Sequence, residues 1–253
     1  MKNISPYQLS NSVKNMARKE EICIAQIVRE LKQGRTTPYL CKDDEKNQHV
    51  VKGKNATIKG LIHEWICAVL GTAFGLPIPD FSVAWADIPL REKRELFEYN
   101  FASSFVENIQ DVTVSTLSKL PINLINDLYV FDYWIKNADR NLTDLGGNPN
   151  FFVHQKNGNA YVMDHNLAFD DTFNIEQHKK LHVCAKRKQW SDLFEVEKDR
   201  YIGLIENALS SLEEAWGTIP DEWLERFSLD EIKQEVLPIL NRYKEERFWE
   251  AIK

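Results

Sequence analysis

The feature that most constrains the fold is a single change of style along the chain. Up to about residue 110, short β-like runs alternate with one clear helix; from about Pro121 onward the pattern is mainly helical. Arg35 to Lys54, RTTPYLCKDDEKNQHVVKGK, reads as a hairpin: an extended PYLCK, a charged turn over Asp43–Asn47 and a strand QHVVK. Leu61 to Phe74 follows as a helix with Leu61, Ile62, Trp65, Ile66, Val69, Leu70 and Phe74 on one face, ended by Gly75 and by Pro77 and Pro79. FSVAWADI alternates as a strand does.

Beyond the change, Pro121 is placed to be a first helical residue. Ile122, Ile125, Leu128, Tyr129, Trp134 and Ile135 predict a mostly buried helix running to about Ala138. Asn150–Val153 and Ala160–Met163 predict two short strands joined by QKNGN, and Asn174 to Lys253 reads as amphipathic helices. The expectation is an α+β protein with a small α+β lobe, residues 1–108, and a larger mostly helical lobe, residues 109–253, divided somewhere in residues 106–112.

A net charge of −6 argues against a mainly electrostatic nucleic-acid binder. The four cysteines, Cys23, Cys41, Cys67 and Cys184, form no zinc-type spacing and are expected to be reduced. With no apolar signal core and no apolar run near ~18 residues, a soluble, cytoplasmic protein without membrane partners is expected.

Four polar features stand in order against this scaffold. Lys52 ends a buried strand, downstream of a loop containing Gly34, Thr36 and Thr37; Glu64 lies on the next helix. Asp139 follows a buried helix in NADRNLTDLGGNPNFFV, with Asn148 beyond two glycines, and Asp164 ends the apolar YVMD. Phosphoryl transfer from ATP needs such a set. A lysine neutralises phosphates and a carboxylate holds it; an acid orients the attacking hydroxyl; an amide oxygen and a second carboxylate hold Mg²⁺. Taken singly each has an ordinary alternative: a solvated lysine, a helix-ending Asp139–Arg140 pair, Asp144-Leu-Gly-Gly as turn chemistry, Asp164 as a cap.

Four stretches, QHVVK, HEWICAVLGTAFGLPIP, FDYWIKNADRNLTDLGGNPNFFV and YVMDHNLAF, resemble the HipA-like kinases, whose fold is related to protein and phosphatidylinositol kinases; the likeness spans about residues 34–170 and is closest to the short stand-alone members. The resemblance implies that Asp139 positions or deprotonates the acceptor hydroxyl and that Asn148 and Asp164 bind Mg²⁺. Lys52, supported by Glu64, would contact ATP phosphates under a loop with Gly34, Thr36 and Thr37, and a linker around residues 101–106 would contact adenine. In HipA the metal asparagine follows the aspartate by five residues, where this chain has Asp144, so Asn148 or Asp144 fills that role, with Asn148 favoured. Thr36 and Thr37 are candidate autophosphorylation sites. The acceptor is expected to be Ser or Thr of a protein, with a small-molecule or lipid acceptor, or a nucleotide-binding pseudokinase acting as an adaptor, as the alternatives. The long N-terminal subdomain of HipA toxins has no counterpart, so neither toxin activity nor an antitoxin partner is expected. His165 is read as structural; His49, His63, His154, His178 and His182 share no spacing and are assigned no role. Trp190, Trp216, Trp223 and Trp249 are read as core or interface groups.

Overall fold

In a computed structural model, described for residues 21–31, 36–143, 146–190 and 194–253, strand β1 (Ile22–Glu30) leads into the predicted hairpin of β2 (Tyr39–Asp43) and β3 (Gln48–Lys52). Tyr39 faces Val51 across that hairpin, and its turn is closed by the Asp43 carboxylate, which accepts the Asn47 N–H at 2.8 Å. Helix α1 (Ile58–Phe74) is followed by β4 (Phe81–Trp85), α2 (Ile88–Lys93) and β5 (Tyr99–Ser104). The five strands close into a barrel in the order β1-β2-β3-β5-β4, with a short parallel β1–β4 seam. Its interior is a small apolar cluster that includes Ile24, Cys41, Val51, Ala84 and Ala102.

Helix α1 begins three residues before the expected start and is buried on nearly all sides rather than along one face. Gly71 explains part of this: a Cβ there would stand 3.2 Å from Ile78 and 3.4 Å from Phe131, so the missing side chain lets a second layer close on the helix. Gly75 ends it in the left-handed conformation, φ 100°, as its position predicts.

The remaining elements are β6 (Ile109–Asp111), α3 (Val114–Leu117), α4 (Ile122–Trp134), β7 (Asn141–Thr143), β8 (Gly146–Asn148), β9 (Phe151–His154) and β10 (Ala160–Val162). Among the described residues the chain continues with helices α5 (Ile175–Leu181), α6 (Phe194–Ser210), α7 (Leu212–Gly217), α8 (Asp221–Leu224), α9 (Leu229–Leu240) and α10 (Glu246–Ile252). The architecture is therefore mixed α+β. Strands β9 and β10 form the predicted Asn-Gly hairpin, and β6 adds to β9 as a third strand. Helix α4 stops at Trp134, short of the predicted end, because Lys136 turns left-handed at φ 52° and the Asn137 N–H returns to the Asp132 carbonyl.

A large apolar cluster runs from Ala56 to Ile252 and contains α1 together with α4 and the C-terminal helices. Tryptophan N–H groups tie it together: Trp65 donates to the Ala215 carbonyl at 3.2 Å, Trp134 to Leu240 at 2.9 Å and Trp223 to Tyr99 at 2.9 Å. Among the described residues, no helix is long and apolar enough to cross a membrane.

Candidate active site

Lys52 is the last residue of β3, opposite Phe101 of β5, and is 8 % exposed. Its Nζ donates to Glu64 Oε2 at 2.9 Å and to Asp164 Oδ1 at 2.7 Å. Glu64 is buried on α1, and the same Oε2 accepts the His165 backbone N–H at 2.9 Å. One carboxylate thus joins the barrel lysine to the backbone immediately after Asp164. Burial opposes charge on Lys52, but Asp164 and Glu64 together outweigh it and hold the ammonium above its ordinary range. Burial likewise opposes ionisation of Asp164, and Lys52 reverses the balance so that its carboxyl lies below the usual value. Asp164 itself sits at φ 65°, a left-handed position that favours glycine.

Asp139 lies in the loop after α4, and a network absent from sequence reasoning fixes that loop. Asp132, fully buried, accepts Arg140 Nε at 2.6 Å, His182 Nε2 at 2.8 Å and Asn137 Nδ2 at 2.9 Å. Arg140, also fully buried, spends its other N–H groups on the Asn150 carbonyl, on the Met163 carbonyl at 3.1 Å and on His165 Nε2 at 2.9 Å. The residue beside Asp139 thereby fastens the loop to both strands that lead to Asn150 and Asp164. Eight residues separate Asp132 from Arg140 and 50 separate it from His182, so no local pattern could reveal the cluster.

The glycines let the chain double back. β7 and β8 pair with Asn141 opposite Asn148, Gly146 has φ 102°, and a Cβ at Gly147 would lie 2.5 Å from the Asn141 carbonyl oxygen. The fold-back brings the Asn148 amide to Asp139, where Nδ2 donates to Oδ2 at 2.7 Å. Asn150, given no role from the sequence, donates to the same oxygen at 3.4 Å. Its backbone carbonyl accepts the Met163 N–H at 3.2 Å, next door to Asp164. The amide oxygens of both asparagines are directed away from those donated bonds, an assignment that follows from the donors' need for an acceptor. Burial, and then the charge of Asp164, raises the Asp139 carboxyl above its ordinary value.

Lys52, Glu64, Asp139, Asn148 and Asp164 all line one cleft of about 730 Å³, and so do Thr36 and Asn150. Apolar Val50, Phe101 and Phe152 line it too. Thr37 does not; its hydroxyl accepts the Asn55 amide at 2.6 Å. Gly34 and Asp144 lie outside the described residues. The set Asp164, Asn148 and Asn150 offers hard oxygen donors, which suits magnesium and not a soft metal. Among the described residues there is no cluster of three or more His, Cys, Asp or Glu side chains at ligating spacing, which a magnesium site that keeps several waters does not require.

The histidines have structural work. Among the described residues His165 Nε2 meets the Arg140 donor, which assigns it as the acceptor and places the proton of a neutral ring on Nδ1. Burial and Arg140 depress it to about 3, and burial with Lys59 depresses His63 to about 4; burial lowers His178 and His182 as well. Each folded ring stays neutral where the unfolded one, with its value near ~6.5, takes a proton. Stability therefore falls as pH drops below that value. With the slope approaching ~1.4 kcal/mol per pH unit for each group below that value, His63 and His165 together remove about 3 kcal/mol between pH 6.5 and 5. Urea melts at pH 7 and pH 5 check this; an unchanged midpoint contradicts the neutral, buried rings.

The family model for HipA-like kinases matches residues 24–252. Among solved structures, the Helicobacter pylori proinflammatory kinase CtkA is similar at 11% identity and a TM-score of 0.46, covering 85% of this chain and 92% of that one. The FAT and kinase domain of CtTel1 is similar at 12% identity and a TM-score of 0.26, covering 85% of this chain and 22% of that one. No curated protein matches.

Proposed function

The chain belongs to the HipA-like kinase family, and from that premise we propose that it moves the γ-phosphoryl group of ATP to a hydroxyl, in the first place Ser or Thr of a protein. On this reading residues 1–108 and 109–253 are the two lobes of a kinase-like fold and the 730 Å³ cleft takes the nucleotide. The observation that carries it is Lys52 held between Glu64 and Asp164, in the same cleft as Asp139 and its two asparagines.

Lys52 neutralises phosphate charge, and Glu64 keeps its ammonium from swinging away. The apolar walls at Val50, Phe101 and Phe152 receive the base. Asp139 accepts the proton of the attacking hydroxyl as its oxygen bonds to the γ-phosphorus and the bond to the bridging oxygen of ADP breaks. Its raised basicity suits that task, and Asn148 and Asn150 fix the carboxylate's direction. Asp164 with the amide oxygen of Asn148 or Asn150 would hold Mg²⁺, which when bound neutralises charge on the β- and γ-phosphates. Thr36, on the cleft wall, is the better placed of the two threonines for autophosphorylation, a modification that would repel ATP.

The test is one sample followed three ways. With ATP and Mg²⁺ near ~100 Kd, linkage gives ~2.7 kcal/mol, a rise in Tm on the order of 5–10 °C. ATP should also be consumed, and mass spectrometry should find phosphate on Thr36. A shift without consumption makes the protein a nucleotide-binding adaptor; neither shift nor consumption ends the kinase reading; consumption without phosphate on Thr36 ends the autophosphorylation alone.

A further inference from the structure

Of the six large apolar side chains exposed among the described residues, Leu167 alone lines the cleft that holds Lys52, Asp139 and Asp164. A lone leucine on open surface asks for no explanation. This one differs because its neighbours in the chain are enclosed. His165, Asn166, Ala168 and Phe169 are all buried, while Leu167 is 52 % exposed. The Ala168 N–H donates to the His165 carbonyl at 3.0 Å, closing a turn with Asn166 and Leu167 at its two central positions.

Several contacts pin that turn. The His165 N–H donates to Glu64 on α1 at 2.9 Å, and the Phe169 N–H donates to the Ile135 carbonyl, just beyond α4, at 2.8 Å. The His63 ring stands edge-on to Phe169, with centres 5.1 Å apart. A Cβ on Gly60 would lie 3.5 Å from the Asn166 Cβ, so α1 packs directly on the turn. Leu167 is therefore an apolar group held in place at the cleft, three residues after Asp164, and its position is set before anything binds.

The charge around it bears on what can lie against it. Among the described residues that line the cleft, Lys52 is the one Lys or Arg, and it already serves Glu64 and Asp164. Asp111 and Asp139 bring the carboxylates there to four. An acidic group carried beside the acceptor hydroxyl meets repulsion, whereas an apolar one sheds water against Leu167.

We propose that Leu167 selects the acceptor by receiving an apolar side chain from a residue next in sequence to the Ser or Thr that is modified. What the bound chain is then used for rests on the kinase reading above.

Binding decides the matter separately from turnover. The probes are fluorescent peptides with one serine flanked on both sides by leucines, by glycines or by glutamates, read by anisotropy on the full chain with Mg²⁺ and a non-hydrolysable ATP analogue. Wild type should bind the leucine peptide at least ~10-fold tighter than the glycine peptide and bind the glutamate peptide most weakly. The leucine preference should persist at high salt, as an apolar contact does. Leu167→Ala should bring the leucine and glycine peptides to within ~2-fold of each other, and Leu167→Met should keep them apart. Because the side chain stands largely in water, Leu167→Ala should melt within ~2 °C of wild type. Equal binding of leucine and glycine peptides by wild type, no binding of any peptide, or a preference that survives Leu167→Ala overturns the proposal. So does a large fall in Tm, which makes Leu167 a packing group, or loss of the ATP thermal shift in Leu167→Ala, which gives it to the nucleotide. A leucine preference without ATP consumption keeps the contact and removes the kinase reading. ATP consumption with no leucine preference does the reverse.

Discussion

Asp139→Ala should lower the proposed phosphoryl transfer by ~10²–10⁴-fold and leave the protein folded. The large effect is expected because the raised Asp139 carboxyl is the proton acceptor of the proposed reaction, and its neighbours exist to aim it: two amides converge on one of its oxygens. The small effect on folding is expected because Asp139 is only partly buried and supports nothing beyond those amides, whereas Arg140 and Asp132 carry the loop. Turnover under saturating ATP and a thermal melt on the same preparation check both halves. A variant with full activity removes Asp139 from the mechanism; one that fails to fold shows that the carboxylate, not the arginine beside it, holds the loop. The same assay sorts the two amides. Asn148→Ala and Asn150→Ala should differ in the magnesium concentration needed for half-maximal rate, and the larger change marks the metal-binding residue.

How much of this was legible depended on whether the cause was local. The β2–β3 hairpin, the Gly75 stop and the Asn-Gly hairpin rest on turn residues and periodicity within a few positions, and they are where the pattern puts them. The barrel is different. β1 was not anticipated, and its closure depends on Ile22 and Cys23 pairing with Ala84 and Trp85, about sixty residues on, which only packing selects. The expected single face of α1 counts only large apolar side chains of Leu61–Phe74, whereas the small Gly71 is what lets Ile78 and Phe131 close on a second side. In the site, Lys52, Asp139 and Asp164 stood out because each is polar at the end of an apolar run. Asn150 stood out less: its left-handed φ of 42° and its carbonyl bonds to Arg140 and Met163 come from tertiary contacts. His165 reads as structural from the sequence, but its partner Arg140 and the partner of His182, Asp132, lie far along the chain and are set by packing.

Arg140→Ala should destabilise the protein by ~3–5 kcal/mol, the cost of stranding a buried charge. At ~2–4 °C per kcal/mol for a chain of this size, that lowers Tm by on the order of 10–15 °C. Arg140 is wholly enclosed and neutralises Asp132 while satisfying two backbone carbonyls and His165, so its loss leaves a buried carboxylate without a countercharge and several acceptors without a donor. Arg140→Lys restores the charge but not the planar fork, and should recover only part of the loss. Acid should erase part of the difference between wild type and Arg140→Ala, and the sign is fixed. Burial opposes ionisation of Asp132, but Arg140 and His182 outweigh it and hold its carboxyl below the ordinary value. The pair's contribution is thus full above ~4, where unfolded aspartate is ionised, and declines as pH falls further. Denaturant melts of wild type, Arg140→Ala and Arg140→Lys at pH 7 and near 3 measure this. A constant difference across that range would mean that Asp132 is not the group Arg140 serves. Because Arg140 also links the Asp139 loop to the carbonyls of Asn150 and of Met163, the residue before Asp164, whatever fraction of the variant stays folded should turn over slowly even at low temperature. A lysine variant that regains stability without regaining rate would separate holding the fold from aiming the loop.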